Sequence, residues 1–454
     1  MTDSPVVDRL QIQLYGSLTG YLRLHENAEI SMVYAPEWIK ESGNPDDLAR
    51  NAHAISLSLP IQDKAHSDRF VAPFMAGLLP DSLPHRRILA GELGIEDNPS
   101  DFAFLKVLGR DCAGAITIQP ENSTYAPSLV PHYQLLNEAD LAEFIRTLPQ
   151  RPLMIDDAEG VRLSLAGVND KAAVLMIGKD QLALPQNGFP STHIIKPDIN
   201  GLPDSIRVEH FCLRLAANLG IEVPRSQIRR AEDIIYMLMS RYDRKAKVEY
   251  VDGKPVTRLF RIHQEDSAQA LGVFPARKYE RNGGPSWKNL FDLMDSTVMP
   301  AQARSKLLDR AIFQFLSGNP DAHAKNYSLV YRPNGEITLS PFYDLNNAAA
   351  YVDRFKTQKP IMAMSIGGEF NHTLIRAEHW TNFAEEINLD REGVINRLNA
   401  LAKAIGPTVA SLRNQARGTL ADSPRLDLVV ADINARAGLM LKSIGELSIS
   451  VPGP

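Results

Sequence analysis

The stretch GNPDAHAKN, residues 318–326, places Asp321, His323, Lys325 and Asn326 within six positions, between an apolar helical run and an apolar strand-like run, YSLVY. An aspartate and an asparagine five positions apart in one loop can aim a carboxylate at a nucleophile and an amide oxygen at a metal ion. The adjoining residues sharpen that reading. YSLVY, the turn-like RPNGE and a second strand, ITLSP, make a hairpin pattern that returns the chain to its start, so Asp344 of FYDLNNA is expected beside Asn326. Two oxygen donors of this kind suit the hard cation Mg2+. Lys196, at the end of the strand-like THIIKPD, supplies a cation for phosphate groups. A carboxylate for a hydroxyl, a metal-binding pair and a strand lysine are the parts of phosphoryl transfer from ATP. His323 reads as hydrogen-bonding support for the loop rather than as a ligand, because Mg2+ prefers oxygen. Glu209, at the start of a helix, is either a partner of Lys196 or an ordinary acidic residue favoured by the helix dipole.

These residues need a scaffold, and the hydrophobic patterns outline one. Residues 1–125 carry short alternating runs such as GSLTGYLRL and GAITIQP with turn signals between them, which predict a mixed α/β N-terminal subdomain. PENSTYAPSLVPHY is rich in Pro, Ser and Asn, so residues 126–160 are read as a linker and the entry to the next lobe. Within 161–243, VRLSLAG, KAAVLMIG, THIIKPD and IIYMLMSRYD read as strands. VEHFCLRLAANLG reads as a helix whose apolar residues at 208, 211, 212, 215, 216 and 219 share one face, with Gly220 at its end. From 244 to 454 the chain reads as mostly helical, through SKLLDRAIFQFLSG, REGVINRLNALAKAIG and LVVADINARAGLMLKSIGEL. The expected fold class is therefore α+β, with a small sheet-rich lobe followed by a larger helical one. In LSLAGVNDKAAV a single glycine, Gly167, lies between two strand-like runs; loops with three spaced glycines are not matched, but Ala166 and Gly167 with their backbone N–H groups can cradle a phosphate.

Composition bounds the alternatives. The chain has 454 residues, 44% apolar and 23% charged, with a net charge of −5, so it can bury a large core and lacks the basic signature of a dedicated nucleic-acid binder. Its two cysteines, Cys112 and Cys212, each lie in an apolar stretch and read as core residues of a reducing cytosol. No apolar run reaches the roughly 18 residues of a membrane span and the N-terminus has no leader pattern, so the expected location is cytoplasmic, with no membrane partner.

The ordered runs LSLAGVNDK, THIIKPD, RYDR, QEDSAQALG, KYERNGGPS, NPDAHAKN and PFYDLNNA closely resemble the HipA family of bacterial toxin kinases. APEW, SLSLP, GLLPDS and GRDCAGAITI resemble that family's N-terminal region, so the likeness spans most of residues 30–350. The resemblance implies a two-lobed serine/threonine protein kinase that uses ATP and Mg2+ and targets aminoacyl-tRNA synthetases such as the glutamate enzyme. It also implies a small helix-turn-helix antitoxin of the HipB type, through which operator DNA is bound. Carried over by position, Asp321 matches the catalytic aspartate, Asn326 and Asp344 the metal-binding pair, and Ser164 the autophosphorylated serine. The nucleotide-binding set becomes Ala166, Gly167, Val168, Asn169, Asp170, Lys171, Lys196, Ser240, Arg241, Tyr242, His323, Asn326 and Asp344, with the backbone of Ser240 and Tyr242 meeting adenine. Two other readings stand beside this one: a corepressor with a vestigial site, and a small-molecule kinase of the same fold.

Overall fold

A computed structural model of the chain describes residues 4–42, 52–123 except 82, 96 and 98, 132–148, 171–352 except 187, 252, 253 and 333, and 361–450. The N-terminal layer is an antiparallel sheet in the order β3-β2-β1-β4, from β1 (Val6–Leu14), β2 (Ser17–His25), β3 (Ile30–Tyr34) and β4 (Ile116–Pro120). Strict alternation along β1 buries Leu10, Ile12 and Leu14 on one face. Tyr15 and Gly16 turn β1 into β2 with φ of 53 and 84, the two positive dihedrals that a twisted two-residue hairpin needs. The helices Asp68–Gly77 and Asp101–Leu108 cover the buried face with Phe74, Met75, Phe102 and Leu105.

The second layer is a six-stranded antiparallel sheet in the order β5-β7-β6-β8-β10-β9. Its strands are β5 (Tyr133–Leu135), β6 (Ala172–Ile177), β7 (Gln181–Pro185), β8 (His193–Lys196), β9 (Ser226–Ala231) and β10 (Ile234–Ser240). Here the linker expected at 126–160 turns out to hold structure. β5 forms the sheet edge, and the helix Glu138–Thr147 packs Leu141, Phe144 and Ile145 onto Val174, Ile195 and Leu238. The spacing of those apolar residues, and an Asn137–Asp140 capping box, specify that helix locally. The helix Ser205–Asn218 lies on the inner side and ends, as its pattern predicts, before Gly220 with φ of 81.

Beyond the sheet the chain is less uniformly helical than its periodicity suggests. A hairpin of β11 (Arg244–Val251) and β12 (Lys254–Arg261) comes first. Then β13 (His263–Asp266), β14 (Ser328–Tyr331) and β15 (Ile337–Leu339) form a small sheet, and β16 (Ile361–Ile366) pairs with β17 (Glu369–Asn371). The helices Pro300–Leu316, Arg391–Ala416 and Arg425–Ser450 enclose the largest core, around Trp287, Phe313, Phe315 and Trp380. Arg391–Ala416 continues through Gly406 and Pro407, because its buried stripe of Leu398, Leu401, Ile405, Val409 and Leu412 keeps helical period across them.

Buried polar contacts fasten the N-terminal layer to the segment that follows the six-stranded sheet. Asp111 Oδ1 lies 3.1 Å from Arg244 Nη2 and 2.7 Å from Arg261 Nη2. Asp243 pairs with Arg241 at 2.7 Å and Arg244 at 2.8 Å, and accepts the Gly114 N–H at 2.8 Å. Glu265 of β13 accepts hydrogen bonds from Ser56 Oγ (2.5 Å), the Leu57 N–H (3.0 Å) and Tyr331 Oη. Both cysteines are buried and free. Among the described residues no helix is long and apolar enough to cross a membrane.

Candidate active site

The lysine comes first. β8 ends at Lys196, Pro197 cannot continue the ladder, and Asp198 then anchors the next helix. Its Oδ2 accepts the Asp204 N–H at 3.0 Å, and its Oδ1 accepts the Ile206 N–H at 3.1 Å and the Ser205 hydroxyl at 3.2 Å. This lays the helix Ser205–Asn218 back along the strand and brings Glu209 Oε1 to 2.6 Å from Lys196 Nζ. Of the two readings of Glu209, the ion pair is the one observed. Asp344 Oδ1 lies 3.8 Å from the same ammonium. Burial alone would discharge Lys196, but the two carboxylates outweigh it and hold its pKa above the usual lysine value.

The loop at 318–326 is held from several sides. The Asn319 side chain accepts the Asp321 N–H at 3.1 Å, and Asp321 Oδ1 accepts the Tyr279 hydroxyl at 2.7 Å. Asn326 Nδ2 donates to the Asp321 carbonyl at 2.9 Å, which leaves its Oδ1 as the amide atom for a cation. The β14–β15 hairpin forms with Leu329 opposite Leu339 and returns the chain so that Asp344 lines the same cleft as Asp321 and Asn326. Tyr343 ties the two segments directly: its hydroxyl donates to the Lys325 carbonyl at 2.8 Å and lies 2.7 Å from Ser328 Oγ. Asp344 itself has φ of 60, uncommon for a residue with a side chain, and its carbonyl accepts from Asn319 Nδ2 at 3.3 Å.

Charge is divided unevenly across this cleft. Burial and the nearby Asp344 raise the Asp321 pKa against the opposing Tyr279 hydrogen bond and Lys278. Burial pushes Asp344 the same way, but Lys196, Lys171 and Lys278 prevail and hold it below the usual carboxylate value. Burial and Lys196 bring Lys171 down to about 8. His323 is pushed down to about 3 by burial and Lys278, so it is a neutral imidazole, and it meets the Tyr279 ring edge-on at 5.2 Å.

The cleft holds about 370 Å3 and brings together Lys171, Lys196, Ser240, Arg241, Tyr242, Asp321, His323, Asn326 and Asp344. Ser164 and the loop residues Ala166, Gly167, Val168, Asn169 and Asp170 lie outside the described residues. At the connection between the lobes, the Ser240 N–H is committed to the Arg225 carbonyl at 2.9 Å and the Arg241 N–H to Thr192 at 2.9 Å. The Arg241 guanidinium is occupied by Asp243 and by Ser191 Oγ at 3.0 Å. Tyr242 stacks on Tyr343 at 5.7 Å and donates to Gln264.

Five residues that sequence reasoning assigned no role, Asp81, Asp266, Lys278, Tyr279 and Lys325, also line the cleft. Asp81, from the N-terminal layer, lies 3.4 Å from Lys278 Nζ and 3.5 Å from Lys325 Nζ. Lys325 Nζ is in turn 3.0 Å from Asp266. Lys278 and Tyr279 come from the KYERNGG run, whose Gly284 is packed so closely that a Cβ would sit 1.9 Å from the Arg277 carbonyl. The signals were present in GLLPDS and KYERNGGPS, but nothing local in them says that they fold onto residue 321.

Oxygen donors from Asn326 and Asp344 fit Mg2+, which commonly takes one or two protein oxygens and fills its shell with water and phosphate. Residues 163–409 match the HipA-like C-terminal domain, and residues 10–119 the HipA N-terminal domain. The Y4mE protein of Sinorhizobium fredii is 35% identical over 433 residues, spanning 94% of this chain and 97% of that protein. The serine/threonine-protein kinase toxin HipA of Shewanella oneidensis is 30% identical over 417 residues, 89% of each chain. A solved complex of Shewanella oneidensis MR-1 HipA, HipB and operator DNA contains a chain that superposes with a TM-score of 0.78 at 25% identity, covering 97% of this chain and 100% of that one. With both domain families matched in order and a relative aligned over nearly its full length, the chain belongs to the HipA family of kinases.

Proposed function

We propose that this chain is the kinase toxin of a toxin–antitoxin pair, transferring the γ-phosphoryl group of ATP to a serine or threonine hydroxyl of a protein. The observation that carries this reading is the convergence of Asp321, Asn326, Asp344 and the Lys196–Glu209 pair in one interlobe cleft. Mg2+, held by Asn326 and Asp344, would supply positive charge to the phosphate oxygens. Lys196, fixed by Glu209, positions the phosphates, and Asp321 orients the substrate hydroxyl and accepts its proton. The Ser240 N–H is already bonded to the Arg225 carbonyl, so adenine is met by other backbone groups of Ser240 and Tyr242.

The preferred protein substrate is an aminoacyl-tRNA synthetase, the glutamate enzyme first among them, and the setting is cytoplasmic. A HipB-like helix-turn-helix antitoxin neutralises the chain and joins it to operator DNA as a corepressor; the HipA–HipB–DNA relative supports this partner. Autophosphorylation falls on Ser164. A phosphoserine carries about −1.5 to −2 charge, and like unit charges about 5 Å apart repel by roughly 3 kcal/mol at a dielectric near 20, which would weaken ATP binding about a hundredfold.

Intact-mass measurement of the purified, initially unmodified chain after incubation with Mg2+ and ATP tests the reading. A phosphate gained by wild type, mapped to Ser164 and absent from Asp321→Ala, is the expected result, together with growth arrest on expression that Asp321→Ala relieves. Neither phosphate nor ATP binding would favour a binding module, and phosphate on an amino alcohol instead of a protein would favour a small-molecule kinase.

A further inference from the structure

Lys196, fixed by Glu209, positions the phosphates and Lys325 is held by Asp266, which leaves open whether a further cation meets the phosphoryl group as it moves. A row of alternating charges crosses the cleft floor: Asp266, Lys325, Asp81, Lys278. Its last member, Lys278, reaches Asp81 Oδ2 at 3.4 Å and lies 5.6 Å from the centroid of the Tyr279 ring, and Tyr279 in turn holds Asp321 by a 2.7 Å hydrogen bond. The charge of Lys278 acts on both Asp321 and Asp344. Asp81 has 8% of its side chain exposed, and its two oxygens divide between the lysines, Oδ1 at 3.5 Å from Lys325 Nζ and Oδ2 at 3.4 Å from Lys278 Nζ.

We propose that Lys278 is a further catalytic residue, contacting the γ-phosphoryl oxygens during transfer, and that Asp81 of the N-terminal layer is the positioning residue that holds its ammonium there. The proposal rests on the kinase reading above. In the step, the substrate oxygen bonds to the γ-phosphorus while the bond to the β–γ bridging oxygen breaks, its electron pair leaving with ADP. The hydroxyl proton passes to Asp321. Lys278 neither gains nor loses a proton; it offsets the charge spread over the non-bridging oxygens, where preorganised donors act most strongly.

The test uses the full chain as wild type, Lys278→Met, Lys278→Arg, Asp81→Asn and the Asp81→Asn/Lys278→Met double variant. Binding of ADP and of AMPPNP, whose γ-phosphate cannot be transferred, is measured by calorimetry with Mg2+, and ADP release gives kcat and KM. Wild type should bind AMPPNP more tightly than ADP, and Lys278→Met should erase about tenfold or more of that preference while ADP affinity stays within threefold. Its kcat should fall about a hundredfold, with KM for ATP changing far less, and Lys278→Arg should restore part of it. Asp81→Asn should lower kcat about tenfold alone and add little in the double variant, because it acts through Lys278. An unchanged AMPPNP preference and kcat in Lys278→Met would overturn the role of Lys278. Multiplying losses in the double variant would overturn the role of Asp81. A wild type that binds no nucleotide would instead sink the kinase reading itself.

Discussion

Lys196 Nζ lies 2.6 Å from Glu209 Oε1, with 11% and 9% of the two side chains exposed, so this cleft lysine has a partner contributed by a different element. Removing one member of a buried pair leaves the other charge uncompensated, which costs about 3–5 kcal/mol. Glu209→Ala should therefore lower both urea stability and ATP affinity. Replacing both residues, Lys196→Met with Glu209→Leu, should recover most of the stability and none of the phosphotransfer. Equal loss of stability in the single and double variants would contradict the pairing.

On the proposed mechanism Asp321 must be ionised to accept a proton, and its pKa is raised by burial and by Asp344. Activity should thus climb with pH along an acidic limb set by this carboxyl. The Tyr279 hydroxyl donates to the charged form and stabilises it, so Tyr279→Phe should move that limb to higher pH. A pH profile of kcat/KM identical to wild type would remove Tyr279 from the mechanism.

Glu265 offers a stability test remote from chemistry. Burial raises its pKa to about 7 in spite of hydrogen bonds from Ser56, Tyr331 and Leu57. A carboxyl raised in the folded state contributes stability that is complete below its unfolded pKa and lost as pH rises through the folded value. The chain should lose about 3 kcal/mol between pH 4.5 and 7 from this group, and Glu265→Gln should flatten the dependence. Denaturant midpoints at several pH values measure it.

Asp243 behaves in the opposite sense. Burial would raise its pKa, but Arg241 and Arg244 hold it well below the usual carboxylate range. Its contribution is present above the unfolded pKa and lost on acidification toward the folded value. Asp243→Asn should destabilise the chain by about 3 kcal/mol at pH 7 and by progressively less in acid. Unchanged stability at pH 7 would show that the cluster is not a fastening.

Local patterns made much of this legible. The apolar stripe at 208–219 and the alternation of KAAVLMIG, THIIKPD and IIYMLMS each specify their own element, and all three strands and the helix form. The GNPDAHAKN and FYDLNNA runs meet in one cleft because a hairpin is a short-range device. What escaped was long-range or masked by composition. The helix Glu138–Thr147 carries a clear stripe and cap, yet follows a Pro- and Ser-rich run that reads as linker. Asp81 reaches residues 278 and 325 only after the N-terminal layer packs against the later part of the chain, and no periodicity encodes that meeting. β13 escaped because it pairs with β14, some 60 positions on: Asp266 lies opposite Ser328.

The contact between Ser56 and Glu265 spans 209 positions of chain. The N-terminal layer is complete at Pro120, the end of β4, so at about 5–20 residues per second it emerges roughly 7–30 s before Glu265 is made. It has a hydrophobic core of its own and can collapse in that interval, but the Asp111 carboxylate and the Ser56 hydroxyl then wait without Arg244 or Glu265. The ribosome thus delivers half of a polar seam early, and a nascent-chain chaperone or a slow-translating stretch before residue 244 would govern how much of the chain reaches its native form.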